Sequence, residues 1–335
     1  MVFRLCKPAV AAVLFLGLLA CLPPGRAHAQ QPGTLQPVRY LLAAPRTLPA
    51  YAPWVLADGL GYYAAAGYSL QFMVGQGGVD VAKQVAFGNA DLGNAIGDTP
   101  IIVRPNGIMV RDVAVMGGGA LTVITARGDR GIRSVKDLKG KTIVTLSYQD
   151  TTYYALLGVL HSVGLGKQDV RIEAVGPGGM TSFVKSGRAD ACACVPEWDV
   201  DIHQALPDAI SFPSQDYVPS MAQAILASDK MIGEKPEMIR AVVSATLRAM
   251  DYIRTNPEQA ADAYIKLVPA QASRRDFIVA VFRRYAELEY KKQPTDGMAD
   301  RDALQKLQQF YVSQGLVKTP VPVEQLYDNR FVTAK

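Results

Sequence analysis

The chain has 335 residues, 49% of them hydrophobic, and a formal net charge of +5. That length supports two hydrophobic cores rather than one, and the composition is that of a globular protein. No run of Lys and Arg and no basic stripe with interleaved aromatic residues occurs, which argues against a nucleic-acid-binding protein.

The N-terminal 29 residues have the pattern of a secretory signal peptide. Two basic residues precede an uncharged apolar stretch over 8–22, which is too short and wrongly flanked to span a membrane. Residues 27–29 form an A-x-A cleavage site, so we predict export to the periplasm and a mature chain that begins at Gln30. The alternative is a lipobox at 18–21, which would attach lipid to Cys21.

Strands and helices alternate through the first part of the mature chain. Short apolar runs predict strands over 38–43, 68–74, 90–96 and 112–116. Helical patterns lie between them, and Thr99-Pro100 is a predicted helix start. Such alternation is typical of an α/β fold.

The alternation continues, with strands predicted over 142–146, 170–175 and 191–195. Two similar apolar strands, over 120–126 and 221–227, flank this middle segment, and the C-terminal third is mostly helical. The pattern predicts two α/β lobes joined by a double crossover, with a cleft between them that suits a small-molecule ligand. We assign the chain to these parts: 1–29 signal peptide, 30–36 linker, 37–127 and 222–335 lobe 1, and 128–221 lobe 2.

Two cysteines remain in the predicted mature chain, Cys192 and Cys194, on one face of an apolar strand. We predict two buried free thiols, because a disulfide across one residue would be strained. A metal site would need two more ligands, and only His161 and His203 are available, without ligand spacing. We therefore expect no metal and no cofactor.

Ligands of α/β sheets bind at the carboxyl ends of strands, and this rule selects the candidate binding residues. They are Arg46, Thr47, Gly77, Gly78, Asp98, Thr99, Ser147, Tyr148, Thr151, Thr152, Glu197 and Trp198.

The charge of the ligand is open at this stage. Arg46 and the helix that starts at Thr151 would suit an anion, whereas Glu197 and Trp198 would suit a planar molecule that carries an amine. Purely structural roles are the alternatives to ligand binding. Asp150 would cap the helix, Gly77 and Gly78 would form a plain turn, and Arg46 would lie exposed on a loop.

Five short motifs occur in a fixed order along the mature chain, at 55–67, 88–93, 134–141, 187–191 and 236–249. Together they resemble the substrate-binding proteins of ABC importers for nitrate, sulfonates, taurine and thiamine-pyrimidine precursors. The resemblance implies a type II periplasmic binding protein, a monomer that delivers its ligand to an inner-membrane ABC permease with its ATPase.

The predicted function is the capture of a small nitrogen- or sulfur-containing or aromatic compound, with a pyrimidine as the alternative ligand. An exported enzyme on the same fold is the alternative of another class. It would need a thiol in the cleft beside a base, but both cysteines lie inside an apolar run. The sequence also contains no nucleophile elbow, phosphate loop or zinc motif.

Overall fold

The computed structural model of the protein describes Val2 and residues 34–332. The predicted signal peptide, the alternative lipid attachment at Cys21 and the predicted first mature residue, Gln30, lie outside these residues. Within the described part of the chain, no helix is long and apolar enough to cross a membrane.

Ten β-strands and twelve α-helices form within the described residues. The strands are β1 (Gln36–Leu42), β2 (Tyr68–Val74), β3 (Leu92–Ile96), β4 (Val110–Val115), β5 (Val123–Ala126), β6 (Thr142–Thr145), β7 (Arg171–Ala174), β8 (Ala191–Cys194), β9 (Ile210–Pro213) and β10 (Gln223–Ser228). The helices are α1 (Ala52–Gly59), α2 (Tyr62–Ala65), α3 (Gly78–Ala86), α4 (Thr99–Val103), α5 (Thr151–Ser162), α6 (Gly176–Lys185), α7 (Pro196–Ala205), α8 (Asp229–Glu234), α9 (Pro236–Thr255), α10 (Pro257–Leu267), α11 (Arg275–Leu288) and α12 (Arg301–Ser313).

The strands form two five-stranded sheets, ordered β2-β1-β3-β10-β4 and β7-β6-β8-β5-β9. In each sheet one strand runs antiparallel to both of its neighbours, β10 in the first and β5 in the second. The chain therefore passes between the sheets twice, over 116–122 and 214–222, and the predicted two-lobed α/β architecture with a double crossover is confirmed.

The sheet to which β5 belongs could not be read from the sequence. Residues 123–126 fall within the predicted first segment of lobe 1, 37–127, but as β5 they pair with β8 and β9. The chain thus changes sheet before Val123. The partners of β5 lie later in the sequence, so its own residues do not reveal which sheet it joins. The other predicted lobe limits remain a prediction.

Buried aromatic residues of the first lobe belong to the larger of the two cores, which also contains residues of the second sheet such as Val144 and Cys192. Tyr40 of β1 and Trp54 of α1 are fully buried, and the indole Nε1 donates to the Tyr40 hydroxyl at 2.7 Å. A buried indole needs such a partner, because an unpaired N–H group is costly in an apolar interior. A second, mainly aliphatic core lies in the second lobe and includes Ile124, Ile143 and Leu156.

Candidate functional site

A small cavity of about 40 Å³ lies between the two lobes, at the ends of their central strands. Its wall combines residues that follow β1 and lie in β3 with residues that follow β6 and β8. The apolar part of the wall includes Leu48, Ile96, Leu121, Leu146, Val195 and Trp198, and the polar part consists of Tyr51, Asn94, Asp150, Thr151, Thr152, Glu197 and Gln223. Depressions of 420 Å³ beside the crossovers and 700 Å³ between α7 and α11 lie away from this edge, whereas one of 130 Å³ shares Leu48, Glu197 and Trp198 with the cavity.

Five of the predicted binding residues line the cavity: Gly78, Thr151, Thr152, Glu197 and Trp198. They come from the starts of α3, α5 and α7, which follow the edge strand β2 and the inner strands β6 and β8. Two lobes thus contribute to one wall, which is the arrangement that allows a ligand to be held by both.

Gly77 and Ser147 lie beside the cavity, where the two lobes touch. The Ser147 hydroxyl donates to the carbonyl of Gln76 at 3.1 Å, and the amide of Val79 donates to the carbonyl of Gln149 at 2.9 Å. Gly77 has φ +101°, a conformation that favours glycine. These bonds close the cleft along one side.

Arg46 and Thr47 lie outside the cavity and are exposed. The guanidinium of Arg46 lies 5.7 Å from the ring centre of Phe72, and the carbonyl of Thr47 accepts from the Tyr264 hydroxyl at 2.9 Å. The side chain of Arg46 therefore lies against the edge strand β2 and is not part of the cavity wall.

Asp98, Thr99 and Tyr148 also lie outside the cavity wall. Asp98 is buried and accepts from the Tyr311 hydroxyl at 2.6 Å, and the Thr99 hydroxyl donates to the backbone of β3 at 2.6 Å. Tyr148 is half exposed, and its hydroxyl donates to the backbone of β7. The protein therefore supplies partners for Oδ2 of Asp98 and for the hydroxyls of Thr99 and Tyr148, whereas Oδ1 of Asp98 is buried without one.

Four polar residues of the wall were not predicted: Tyr51, Asn94, Asp150 and Gln223. Asp150 accepts from the amide of Thr152 at 2.9 Å and so caps α5, which is the structural role that the sequence offered for it. Gln223 begins β10, which runs antiparallel to β3, so its amino end meets the carboxyl end of β3 at the cavity. The signal in the sequence is its position at the amino end of the predicted strand over 221–227, if that strand is taken as antiparallel.

Glu197 has one carboxylate oxygen bonded and the other free. Oε2 accepts from the Tyr285 hydroxyl, whereas Oε1 is buried and has no partner. Burial raises the pKa of this carboxyl to about 7, although the Tyr285 bond opposes the shift. Burial, together with the carboxyls of Asp150 and Glu197, also raises the pKa of Tyr51 well above its usual value. The cavity wall therefore contains two carboxyls, Asp150 and Glu197, whose charged forms burial disfavours.

We expect the protein to lose stability as the pH rises from 5 to 8. Burial raises the pKa of Asp98 and Glu197 to about 7 and that of Glu289 to about 8, from ordinary values of 3.8 to 4.5. The folded state then binds more protons than the unfolded state within this window, so deprotonation favours unfolding. Thermal unfolding at several pH values measures the effect, and Glu289→Gln should flatten the slope. A melting temperature that rises from pH 5 to 8 would contradict the expectation.

The prediction of two free thiols is wrong, because Cys192 and Cys194 form a disulfide within β8. Alternate residues of a strand point to the same face, and the two Cα atoms are 5.3 Å apart, a usual separation for a disulfide. Both residues are fully buried. Among the described residues, no group of three or more His, Cys, Asp or Glu could hold a metal ion.

A model of the protein family described as NMT1/THI5 like matches residues 48–260. The chain is also 24% identical over 293 residues to the riboflavin-binding protein RibY of Chloroflexus aurantiacus, a match that covers 84% of this chain and 82% of RibY. This match confirms the family resemblance that the order of the short motifs indicated.

Solved structures share the fold at low identity. The alkanesulfonate-binding protein SsuA of Xanthomonas axonopodis pv. citri, bound to MOPS, superposes with a TM-score of 0.69 at 16% identity and covers 88% of this chain and 98% of its own. The desulfurization enzyme DszB superposes with a TM-score of 0.52 at 17% identity, and the match covers 88% of this chain and 97% of DszB. The fold thus occurs in a binding protein and in an enzyme.

Proposed function

Because the chain belongs to the NMT1/THI5 like family, we propose that it is the periplasmic solute-binding component of an ABC importer. It captures one small molecule and delivers it to a membrane permease with its ATPase. The observation that carries the proposal is the cavity between the lobes, whose wall takes Gly78 from one lobe and Thr151 and Glu197 from the other. A ligand that touches both lobes binds their closed arrangement better and so shifts the population toward it.

The five predicted residues that line the cavity are the proposed ligand contacts, together with Asn94 and Gln223. Trp198 is almost fully buried at the wall and offers a flat apolar surface, which suits a ring or a short hydrocarbon. The related proteins are named for riboflavin and for alkanesulfonates, so they do not select between a pyrimidine and a compound of the nitrate, sulfonate or taurine type.

Capture without chemical conversion fits the residues better than catalysis, although DszB has the same fold. Among the residues that the structure describes, the cavity wall contains no cysteine or histidine, and the disulfide removes both buried thiols as nucleophiles.

The polar cluster on α7 also lacks a catalytic geometry. The Ser211 hydroxyl lies 2.8 Å from Nε2 of His203, and the Asp199 carboxylate approaches the same nitrogen at 3.5 Å. A Ser-His-Asp relay needs the carboxylate on the other ring nitrogen. Asp199 instead pairs with Arg284 of α11 at 2.9 Å, so the cluster joins two helices.

We expect a bound ligand to stabilise the protein and make it more compact. Binding to the folded state alone adds RT ln(1 + [L]/Kd), about 2.7 kcal/mol at one hundred times Kd. A thermal-shift screen of sulfonates, nitrate, aromatic acids, pyrimidines and amines tests the purified mature protein, and X-ray scattering then measures the radius of gyration with and without each hit. Recovery of a chemically altered ligand after incubation would contradict the proposal.

We expect the exported protein to begin at Gln30. Cleavage after the A-x-A site leaves a free amino group, whereas processing at the lipobox leaves a lipidated and blocked Cys21. Fractionation of the producing cells, followed by intact mass and N-terminal sequencing of the periplasmic protein, distinguishes the two. A blocked, membrane-bound form would establish the lipoprotein instead.

A further inference from the structure

The cavity wall carries two acidic side chains, Asp150 and Glu197, and no basic one among the described residues. Arg46, the cation expected there, is exposed and lies over Phe72. Burial raises the pKa of both acidic groups, and no cationic side chain offsets the shift for either. An anion placed in this cavity would meet these carboxyls without a compensating charge.

Part of the backbone at the helix starts around the cavity is already bonded within the protein. Asp150 already occupies the start of α5 through the amide of Thr152. The start of α3 donates through Val79 to the carbonyl of Gln149. Helix α7 begins with a proline, which has no N–H group to offer an anion. Protein acceptors therefore already hold the amide of Thr152 at the start of α5 and that of Val79 at the start of α3.

Two acceptor atoms at the cavity have no partner. Oε1 of Glu197 and Oε1 of Gln223 are buried without a hydrogen bond, and each residue is only 3% exposed. An unpaired buried acceptor costs about 1–3 kcal/mol, so a ligand that donates to both would recover this free energy. The site thus lacks hydrogen-bond donors for these two oxygens, and a ligand could supply them.

We propose that the ligand is a small organic cation, an ammonium or amidinium group on a short hydrocarbon, which donates to Glu197 and Gln223. This inference rests on the proposed function and names its ligand class. The cationic end meets the carboxyls, and the hydrocarbon lies against Trp198, Leu121 and Leu146. The cavity has room for roughly three water molecules in this arrangement, which selects a short carbon chain.

The test compares two series that share carbon skeletons and differ in charge. Alkylammonium chlorides from methyl to butyl, with acetamidinium chloride, are titrated calorimetrically at fixed ionic strength against sodium alkanesulfonates of equal chain length and nitrate. We expect the cationic series to bind and the anions to give no signal. Glu197→Gln keeps an acceptor for Tyr285 but loses the charge, and should weaken cation binding about tenfold or more. Glu237→Gln, an exposed residue on α9, is the matched control and should bind as the wild type does.

The outcomes separate this inference from the proposed function. Binding of sulfonates or nitrate with no binding of the cations overturns the ligand class and leaves the solute-binding role intact. Cation binding that survives Glu197→Gln undiminished places the cation elsewhere and overturns the site. No binding in either series also overturns the ligand class, whereas the solute-binding role fails only if the wider screen finds no ligand.

Discussion

Gly77→Ala is expected to weaken ligand binding about tenfold or more, because the variant cannot close the cleft as the wild type does. A Cβ atom at this position would lie 2.8 Å from the backbone nitrogen of Asp150, in the opposite lobe. Backbone atoms cannot rotate away as the end of a side chain can, so the lobes would have to separate. Since apparent affinity falls in proportion to the population of the binding-competent state, a less populated closed state binds more weakly.

Because Gly77 has a positive φ, its replacement by alanine also strains the backbone. Gly88→Ala is the control for that strain. Gly88 has φ +78°, but a Cβ there would meet no atom within 4 Å. Both variants should lose stability through backbone strain, whereas only Gly77→Ala should lose affinity. Calorimetry with the tightest ligand from the screen measures affinity, and scattering measures closure. Equal affinities for the two variants would show that the contact of Gly77 with Asp150 does not govern closure.

The order of strands and helices could be predicted because apolar periodicity is a local property of the sequence. The strand predicted over 68–74 forms as β2 over the same residues, and the helix predicted from Pro236 begins there as α9. β9 was not predicted, because Ile210–Pro213 is short, contains a serine and ends in proline. Its place at the sheet edge explains why such a sequence is tolerated there.

The candidate site was predicted in part, and the reason lies in the direction of the strands. The rule that ligands meet the carboxyl ends of strands led to Gly78, Thr151 and Glu197, which follow parallel strands. It could not find Gln223, whose strand runs the other way. It also selected Arg46, because the direction in which a loop turns depends on distant partners such as Phe72, which lie outside any local pattern.

Gly119→Ala is expected to destabilise the protein by about 3 kcal/mol, through the backbone of the first crossover. The amides of Gly118 and Gly119 donate to carbonyls of Lys291 and Glu289, at 2.8 and 3.1 Å, so two stretches of backbone lie side by side. A Cβ at position 119 would overlap the carbonyl oxygen of Leu288. The glycine run therefore allows the crossover to lie against the end of α11.

Gly118→Ala is the matched control for this prediction, because it makes the same change one residue away. A Cβ at position 118 would have its nearest neighbour at 3.3 Å, which small shifts can accommodate, and neither glycine has a positive φ. We expect Gly118→Ala to cost less than about 1 kcal/mol in urea denaturation, and Gly119→Ala several times more. Equal losses would show that the crossover yields to a methyl group. The difference between them measures how firmly the end of α11 holds the first crossover.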